Sequence, residues 1–341
     1  MNNLKKVGLS ALAGSLVAFS ANAVEVTVSG KTEVTYSGTV DGVNGNKFGG
    51  GNGITFSGSG DVNGMTATYT AVIGDGGQAS SNTSETFASS SLMLDMGDMG
   101  TVGFDQGVGE FGVSTIDDKM PYAYEEIWTY TGASNGLKAA GGCNVLGYKN
   151  TIAGYTLSVE LDPGHSESLT DTTGCSGDGG NNGTGGITRS GYNWALTGSP
   201  IDGLTVGVGH GSEEDKDAIS TFVEDDTFTT GFVTYAMGSA TVGYQLSAAD
   251  GGTAGTASNE VELYGISFAV NENLSISVNQ MDREVQHVAA AAVTEETTGF
   301  GASYTMGSAS VRILNAETSN LAGVSTAKDV EHTEISLMLA F

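Results

Sequence analysis

Carboxylates are grouped in residues 107–136, where Lys119 is the only basic residue. The acids of this segment are Glu110, Asp117, Asp118, Glu125 and Glu126. Grouped carboxylates attract cations, and rings of them control which ions enter a narrow polar passage. Acids on a long surface loop are often simply solvated. The segment alone therefore supports two interpretations: a lining that acts on passing ions, or a hydrated face without such a role.

Basic residues outside this segment fall on polar positions of predicted strands. They are Lys31, Lys138, Arg189 and Arg312, spread along the chain rather than clustered. Arg312 is the clearest case because it stands between Val311 and Ile313. Successive side chains of a strand point to opposite faces, so the guanidinium must lie on the face away from both apolar neighbours. We expect that face to be in contact with water.

Nothing in the chain has the spacing of a catalytic or metal-binding motif. His165, His210, His287 and His332 are scattered, and none stands at triad or metal-ligand spacing from a partner. The glycine-rich stretch 174–186 lacks the lysine and following helix of a phosphate loop. The acidic runs 213–215 and 224–226 could bind Ca²⁺ through oxygen ligands, although a repulsive, hydrated face is the favoured interpretation. We predict no enzyme and no required cofactor.

The two cysteines, Cys143 and Cys175, leave a disulfide open. An exported protein enters an oxidising compartment, where such a pair can join. Cys143 lies in a predicted strand and Cys175 in a glycine-rich loop, so a bond requires the loop to fold back onto the strand. Spacing along the chain does not establish that geometry.

The first 23 residues have the organisation of a secretory signal peptide. Lys5 and Lys6 precede an apolar run from residue 7 to 19, and 21–23 reads Ala-Asn-Ala. The run is too short to cross a bilayer as a helix. We therefore predict cleavage after Ala23 and a mature chain of residues 24–341.

The mature chain is strongly acidic. The formal charge of −27 becomes −29 without the two signal-peptide lysines. This imbalance excludes nucleic acids and anionic membrane surfaces as partners and favours cations.

Both ends of the mature chain alternate apolar and polar residues. Val26 and Val28 alternate with Thr27 and Ser29 at the start, and the odd positions of 335–341 are apolar at the end. Alternation with period two predicts strands with one apolar face. A closed antiparallel sheet needs such strands at both ends, because the first must pair with the last.

Between the ends, short turns alternate with longer polar connections. We place the turns at 61–64, 97–100, 150–154, 200–203, 237–239, 271–273 and 306–308. We place the longer connections at 41–52, 74–84, 107–136, 163–188, 213–225, 250–258, 285–293 and 319–328. Seven turns and eight connections require sixteen strands, an even number that is typical of single-chain bacterial barrels.

The placement of aromatic residues favours a membrane barrel over a soluble β-sandwich. Tyr155, Phe268, Tyr304 and Phe341 all fall near the turn end on the apolar phase of their strands. An aromatic ring at one rim is the expected anchor at a membrane–water interface. The strand at 228–236 cannot be oriented, because its aromatic residues take both phases. We predict an all-β, transmembrane antiparallel barrel.

The chain resembles the Gram-negative general porins, especially the alphaproteobacterial type. The resemblance covers the opening strand, the hairpin ladder, the long connection after the fifth strand and the closing residues 337–341. It implies an outer-membrane homotrimer, each barrel with a water-filled channel for small hydrophilic solutes. It also implies that Phe341 belongs to the signal read by the barrel-assembly machinery, and that the third loop, 107–136, folds inward as a constriction.

In that family the acids of the inserted loop face a basic cluster on the wall. The wall here departs from that pattern, because it offers only the four dispersed bases named above. This departure and the acidic loop predict a channel that prefers cations. Two alternatives remain open: a barrel selective for one class of solute, or a secreted or surface acidic β protein that binds calcium or a partner.

Overall fold

The computed structural model describes residues 25–38, 47–74, 89–129, 131, 133, 135, 137, 143–163, 190–213, 225–250, 258–287 and 291–341. These residues form sixteen β-strands in one closed antiparallel barrel. Each strand pairs with its neighbours along the chain, and β1 also pairs with β16. The predicted fold class and strand number are confirmed.

The strands are β1 (Glu25–Ser37), β2 (Phe48–Val62), β3 (Met65–Gly74), β4 (Ser89–Asp95), β5 (Thr101–Gln106), β6 (Cys143–Ile152), β7 (Tyr155–Asp162), β8 (Gly191–Ile201), β9 (Leu204–Glu213), β10 (Asp226–Met237), β11 (Ala240–Asp250), β12 (Asn259–Ala269), β13 (Leu274–Val285), β14 (Val293–Met306), β15 (Ala309–Ser319) and β16 (Val330–Ala340). Short 3₁₀ helices span Gly97–Met99, Gly112–Thr115 and Leu321–Gly323. Of the helices in the described ranges, none has the length and apolar character needed to cross a membrane.

The first and last strands close the barrel with main-chain hydrogen bonds. β1 and β16 pair in register from Lys31 opposite Ala340 to Ser37 opposite Glu334. Beyond that ladder, the Gly30 N–H donates to the Phe341 carbonyl at 2.8 Å, and the Phe341 N–H donates to the Gly30 carbonyl at 2.9 Å. Closure matters because a backbone group left unpaired in hydrocarbon costs several kcal/mol, on the order of 2–7.

Each of the seven predicted turns falls at the junction of two consecutive strands, although 150–152 and 200–201 belong to the ends of β6 and β8. Asn63 and Gly64, and likewise Ala153 and Gly154, have positive φ values, from 53° to 84°. Two consecutive residues with positive φ match the tight hairpins that suit the twist of antiparallel strands.

One predicted connection has a wrong boundary. Residues 48–52 were assigned to a connection but belong to β2, because main-chain pairing to β1 offsets the poor strand propensity of their glycines. After β5, Leu137 is the last described residue before β6 begins at Cys143. Lys138, which was predicted on a strand, lies outside the described residues.

The two faces of the strands differ as predicted, and β10 can now be oriented. Tyr235 is exposed on the outer surface, whereas Phe228 and Phe232 are buried inside the barrel. The inner face of β9 opposite them carries Gly207 and Gly211. A β-carbon at either glycine would lie within 2.3 Å of a phenylalanine ring atom, so the glycines provide the space that the rings occupy.

The predicted aromatic rim is present at the turn end. Tyr155, Phe268, Tyr304 and Phe341 are 41 to 70% exposed on the outer surface. Apolar side chains cover the same surface farther along the strands, including Ile266 and Val278. An apolar outer band with an aromatic border is what a barrel in lipid requires.

We predict that arginine is tolerated on one face of β12 and not on the other. Ile266→Arg places a charge on the apolar outer surface and should lower the free energy of unfolding by about 2–4 kcal/mol, less if the site lies near an interface. Ser267→Arg at the neighbouring inner position should change it by about 0.5 kcal/mol or less. Urea unfolding from lipid vesicles measures both, and equal losses would contradict the assignment of faces.

Candidate functional site

The connection after β5 folds into the barrel, as predicted. We call its described residues, which run from 107 to 137, the inner loop. Main-chain N–H groups of the loop donate to inward side chains of four strands: Gly112 to Ser158, Val113 to Asn193, Lys119 to Gln245 and Ala123 to Ser277, at 2.7–3.2 Å. Bonds to β7, β8, β11 and β13 carry the loop around the inner wall. A loop on the mouth of the barrel could not make them.

A buried aspartate turns the chain inward at the end of β5. The Asp105 carboxylate accepts the N–H of Val108 at 2.7 Å and that of Glu110 at 2.6 Å. Gly112 then adopts a φ of 62°, and a β-carbon there would lie 1.7 Å from the Asn193 side-chain oxygen. A larger residue at this position would therefore meet both backbone strain and a direct collision.

Apolar side chains of the inner loop pack over glycines on the inner wall. Phe111 lies over Gly147 of β6, where a β-carbon would be 2.0 Å from the ring. Ile127 lies over Gly299 of β14 at 2.4 Å. The same arrangement recurs with Ile116 and Val113 over Gly209, and with Pro121 over Gly243 and Gly265. Burial of each large side chain contributes about 1.5–3 kcal/mol, so these contacts are a main source of the loop's stability.

Glu110 is paired with a wall residue that the sequence interpretation missed. Its carboxylate lies 2.8 Å from the Lys149 ammonium of β6, and that ammonium is 5.5 Å from the centre of the Phe111 ring. Both side chains are about one-third exposed. A pair this exposed contributes at most about 1 kcal/mol, but it neutralises the charge of Glu110 locally.

Asp118 and Glu126 share a proton. Burial, together with a hydrogen bond to Glu126 and repulsion from it, raises the pKa of Asp118 to about 9. Burial also acts to raise the pKa of Glu126, but hydrogen bonds from Asp118, from its own backbone and from Thr129 outweigh it, so that this pKa is lowered. At neutral pH the pair therefore carries one negative charge rather than two.

Asp117 and Glu125 titrate close to neutral pH. Burial raises the pKa of Asp117 to about 6, with Lys119 acting in the opposite direction. Burial and the neighbouring Glu126 raise the pKa of Glu125 to about 7, against the attraction of Arg312 and Lys31 on the wall. The loop therefore carries less negative charge at pH 7 than its composition suggests.

Arg312 points inward, as expected from its apolar neighbours, but it is not surrounded by water. It lies 2.5 Å from Glu33 of β1 and 3.1 Å from the Ser336 hydroxyl of β16. Its guanidinium also stacks on the Tyr124 ring of the loop, 4.3 Å from the ring centre. The Glu33 carboxylate, which was not among the predicted site residues, therefore compensates the charge of Arg312.

Of the other three predicted wall bases, the described residues include Lys31. Lys31 lies on the inner face of β1 and is exposed. Its charge acts to lower the pKa of Glu125, so the structure places this predicted base within electrostatic reach of a predicted acid. Arg189 lies outside the described residues, as does Lys138. Cys175 also lies outside them, and only the backbone of Cys143 at the start of β6 is described, so both the bonded and the free state of these cysteines stay open.

The site residues that sequence reasoning missed differ in how visible they were. Glu33 shares the strand phase of Lys31, and Lys149 follows the outward Tyr148, so phase alone could have placed both on the inner face. Glu334 alternates with Ile335 in the same way. Tyr124 had no such signal, because it lies on a loop whose path depends on tertiary contacts.

The structure identifies no metal centre among the residues that it describes, where no three His, Cys, Asp or Glu side chains are placed to hold an ion. Much of the two acidic runs considered for calcium lies outside those residues, so calcium binding there stays the alternative to the hydrated face that the sequence favours. His210 hydrogen bonds to Thr229 at 2.8 Å, and the Nε2 of His332 lies 3.8 Å from a Glu334 oxygen.

A closed barrel with an apolar exterior, and with a loop inside that carries grouped carboxylates, is typical of outer-membrane channels. The family profile described as Gram-negative porin matches residues 8–319. The chain belongs to this family, and its location is the outer membrane. This excludes the secreted-protein alternative.

Solved porin structures have the same fold at low sequence identity. OmpT of Vibrio cholerae in its trimer form is 10% identical, with a TM-score of 0.67. The match covers 94% of this chain and 100% of the OmpT chain. The anion-selective porin from Comamonas acidovorans is 14% identical, with a TM-score of 0.63 and coverage of 93% and 100%. A porin mutant of Rh. blastica is 15% identical, with a TM-score of 0.61 and the same coverage. No curated protein matches significantly.

We predict that a methyl group on the wall beneath the loop disturbs it. Gly299→Ala places a β-carbon 2.4 Å from Ile127 and should cost about 1–3 kcal/mol through overpacking. Gly53→Ala, which faces the interior from β2 with nothing within 4 Å, is the matched control and should have little effect. Urea unfolding of the two variants measures the difference. Equal stability would show that the loop does not depend on this packing.

Proposed function

We propose that the protein is a passive-diffusion channel for small hydrophilic solutes and ions, narrowed by its inner loop. The observation that carries this proposal is the position of the loop carboxylates inside the barrel, with Glu125 close enough to Lys31 and Arg312 for their charges to act on it. Opposite charges across a narrow, wet passage orient polar solutes and oppose apolar ones, which must displace ordered water.

We infer that solutes pass along the inner wall of β1 to β3. The hydrogen bonds and glycine contacts of the loop described above fall on strands between β5 and β14, and Tyr124 stacks on Arg312 of β15. The inner face of the strands beyond them carries a row of hydroxyls, with Thr27 opposite Ser57 and Ser57 opposite Thr70 in register. Hydroxyl groups both donate and accept hydrogen bonds, so they can replace part of a solute's hydration shell whatever its charge.

We further propose that the channel prefers cations. Among the described residues, the carboxylates of the loop outnumber the wall base that acts on them, because Arg312 is compensated by Glu33 whereas Lys31 is exposed. The porin of Comamonas acidovorans is described as anion-selective, so the fold is compatible with either sign. The sign must therefore follow from the charges of each chain.

We propose a homotrimer, as in the trimer form of OmpT. Outer-membrane lipid would contact the apolar exterior, and the assembly machinery would read the C-terminal strand, where Phe341 is exposed. Planar-bilayer recordings of the purified protein test the channel and its assembly together. Conductance that rises in groups of three equal steps supports a trimer, single steps contradict it, and an absence of conductance contradicts the channel itself.

The same recordings distinguish general diffusion from a channel selective for one solute. For general diffusion, conductance should follow the mobility of the salt, and uncharged sugars should enter proteoliposomes at rates that decline with size. Saturation with one sugar, together with block of the ion current by it, would instead establish a solute-specific channel.

We predict that neutralising the loop lowers the cation preference. Glu125→Gln/Glu126→Gln should reduce the cation-to-anion permeability ratio about threefold, the effect of one unit charge a few ångströms from an ion in a water-like dielectric. Reversal potentials in a salt gradient give the ratio. Glu284→Gln, on the outer face of β13, is the matched control and should not change it. An unchanged ratio in the double variant would place the constriction elsewhere.

We also predict that the cation preference increases between pH 5 and pH 8. Asp117, with a pKa of about 6, and Glu125, with a pKa of about 7, are mostly neutral at pH 5 and become negative as the pH rises through these values. Reversal potentials across this range should show the increase in the wild type. The increase should be much smaller in Asp117→Asn/Glu125→Gln, and a wild type without it would contradict these assignments.

A further inference from the structure

We propose that Tyr124 fixes the tip of the inner loop, the segment 123–126, to the closing seam of the barrel, where β1 pairs with β16. This contact positions Glu125 and Glu126 at the constriction. This inference rests on the proposed function as a channel narrowed by the loop. Tyr124 is a positioning residue, because it acts through its two neighbours in the chain rather than on the solute itself.

One side chain of the loop contacts three strands at the seam. The Tyr124 hydroxyl lies 3.1 Å from a Glu33 oxygen on β1 and 2.8 Å from a Glu334 oxygen on β16. These are the strands whose pairing closes the barrel. The ring lies under the guanidinium of Arg312, on β15, at 4.3 Å. The phenol therefore connects the loop with the first strand and with the last two.

Arg312 makes this attachment specific. It holds Glu33 at 2.5 Å and donates to Ser336 at 3.1 Å, and the Ser336 hydroxyl also bonds to Glu33. Arg312 and Glu33 side chains are each only 15% exposed, so water screens their charges weakly. The Tyr124 ring stacks on the guanidinium of Arg312, and its hydroxyl lies beside the carboxylates of Glu33 and Glu334. Contacts at both the ring and the hydroxyl fix the direction of the side chain.

The two residues that follow Tyr124 are the acids assigned to the constriction. Glu125 lies within electrostatic reach of Glu33, Arg312 and Lys31, which places it beside the same seam. A loop tip that leaves the seam would carry Glu125 and Glu126 away from Lys31. Attachment at Tyr124 should therefore set both the width of the passage and its charge.

Tyr122 provides a matched control two residues away. It packs edge-to-face against Trp128 of the same loop, with ring centres 6.0 Å apart and an interplanar angle of 81°. Tyr122→Phe and Tyr124→Phe remove the same atom from the same loop. Only the second removes a hydroxyl bound to the seam.

The test compares these two variants with the wild type as purified, folded protein. We expect Tyr124→Phe to increase the rate of brief conductance transitions about tenfold, the effect of losing one hydrogen bond to a charged acceptor. Its reversal potential should shift towards that of Glu125→Gln/Glu126→Gln. Both variants should remain folded barrels at the temperature of the recordings, because neither substitution touches the strand ladder.

Trypsin cleavage after Lys119 tests the attachment without relying on conductance. Cleavage in detergent should be about tenfold faster in Tyr124→Phe than in Tyr122→Phe or the wild type, again the scale of one charge-assisted hydrogen bond. Equal cleavage rates and equal channel traces in the two variants would overturn the inference. A wild type that conducts no ions, combined with faster cleavage in Tyr124→Phe, would contradict the proposed function while supporting the attachment.

Discussion

The pairing of β1 with β16 is the constraint on which the rest of this structure depends. A barrel in hydrocarbon has no water to satisfy an open sheet edge, so the strand at each end of the chain must find the other. The reciprocal bonds between Gly30 and Phe341 extend that pairing to the last residue. The same seam carries Glu33 and Glu334, which bind the tip of the inner loop. The same two strands, β1 and β16, therefore close the wall and place the loop.

The wall accommodates the loop because glycines remove side chains where the loop must pass. Glycine usually weakens a strand, since it has no side chain to pack and loses more backbone entropy on folding. In this barrel the main-chain ladder holds the strands, and the missing β-carbons leave room for Phe111 and Ile127. The abundance of glycine is thus partly a consequence of placing a loop inside a barrel. Together with buried apolar wall residues such as Phe228 and Met281, these glycines form the apolar surface against which the loop packs.

Alternation and turn chemistry were sufficient to predict the ladder, because both are local properties of the chain. Every predicted turn falls at a junction between two strands, and the inward phase of Arg312 followed from its neighbours. The glycines at 49–51 were wrongly assigned to a connection, because the pairing that makes them a strand comes from β1 and is not a local property. Tyr124 and its partners could not be predicted, since their contact joins residues as many as 210 positions apart.

Charge is the property for which counting residues was least reliable. The composition indicates an acidic channel, yet the groups nearest the constriction modify one another. Asp118 keeps its proton and uses it to donate a hydrogen bond to Glu126. Glu110 is paired with Lys149, and Arg312 is compensated by Glu33. A passing ion therefore encounters only the charge that remains after these pairings. Because that remainder includes Asp117 and Glu125, whose pKa values lie near neutrality, the field in the passage depends on pH as well as on sequence. The packing of the loop, which buries these carboxyls, therefore also sets the charge that they present.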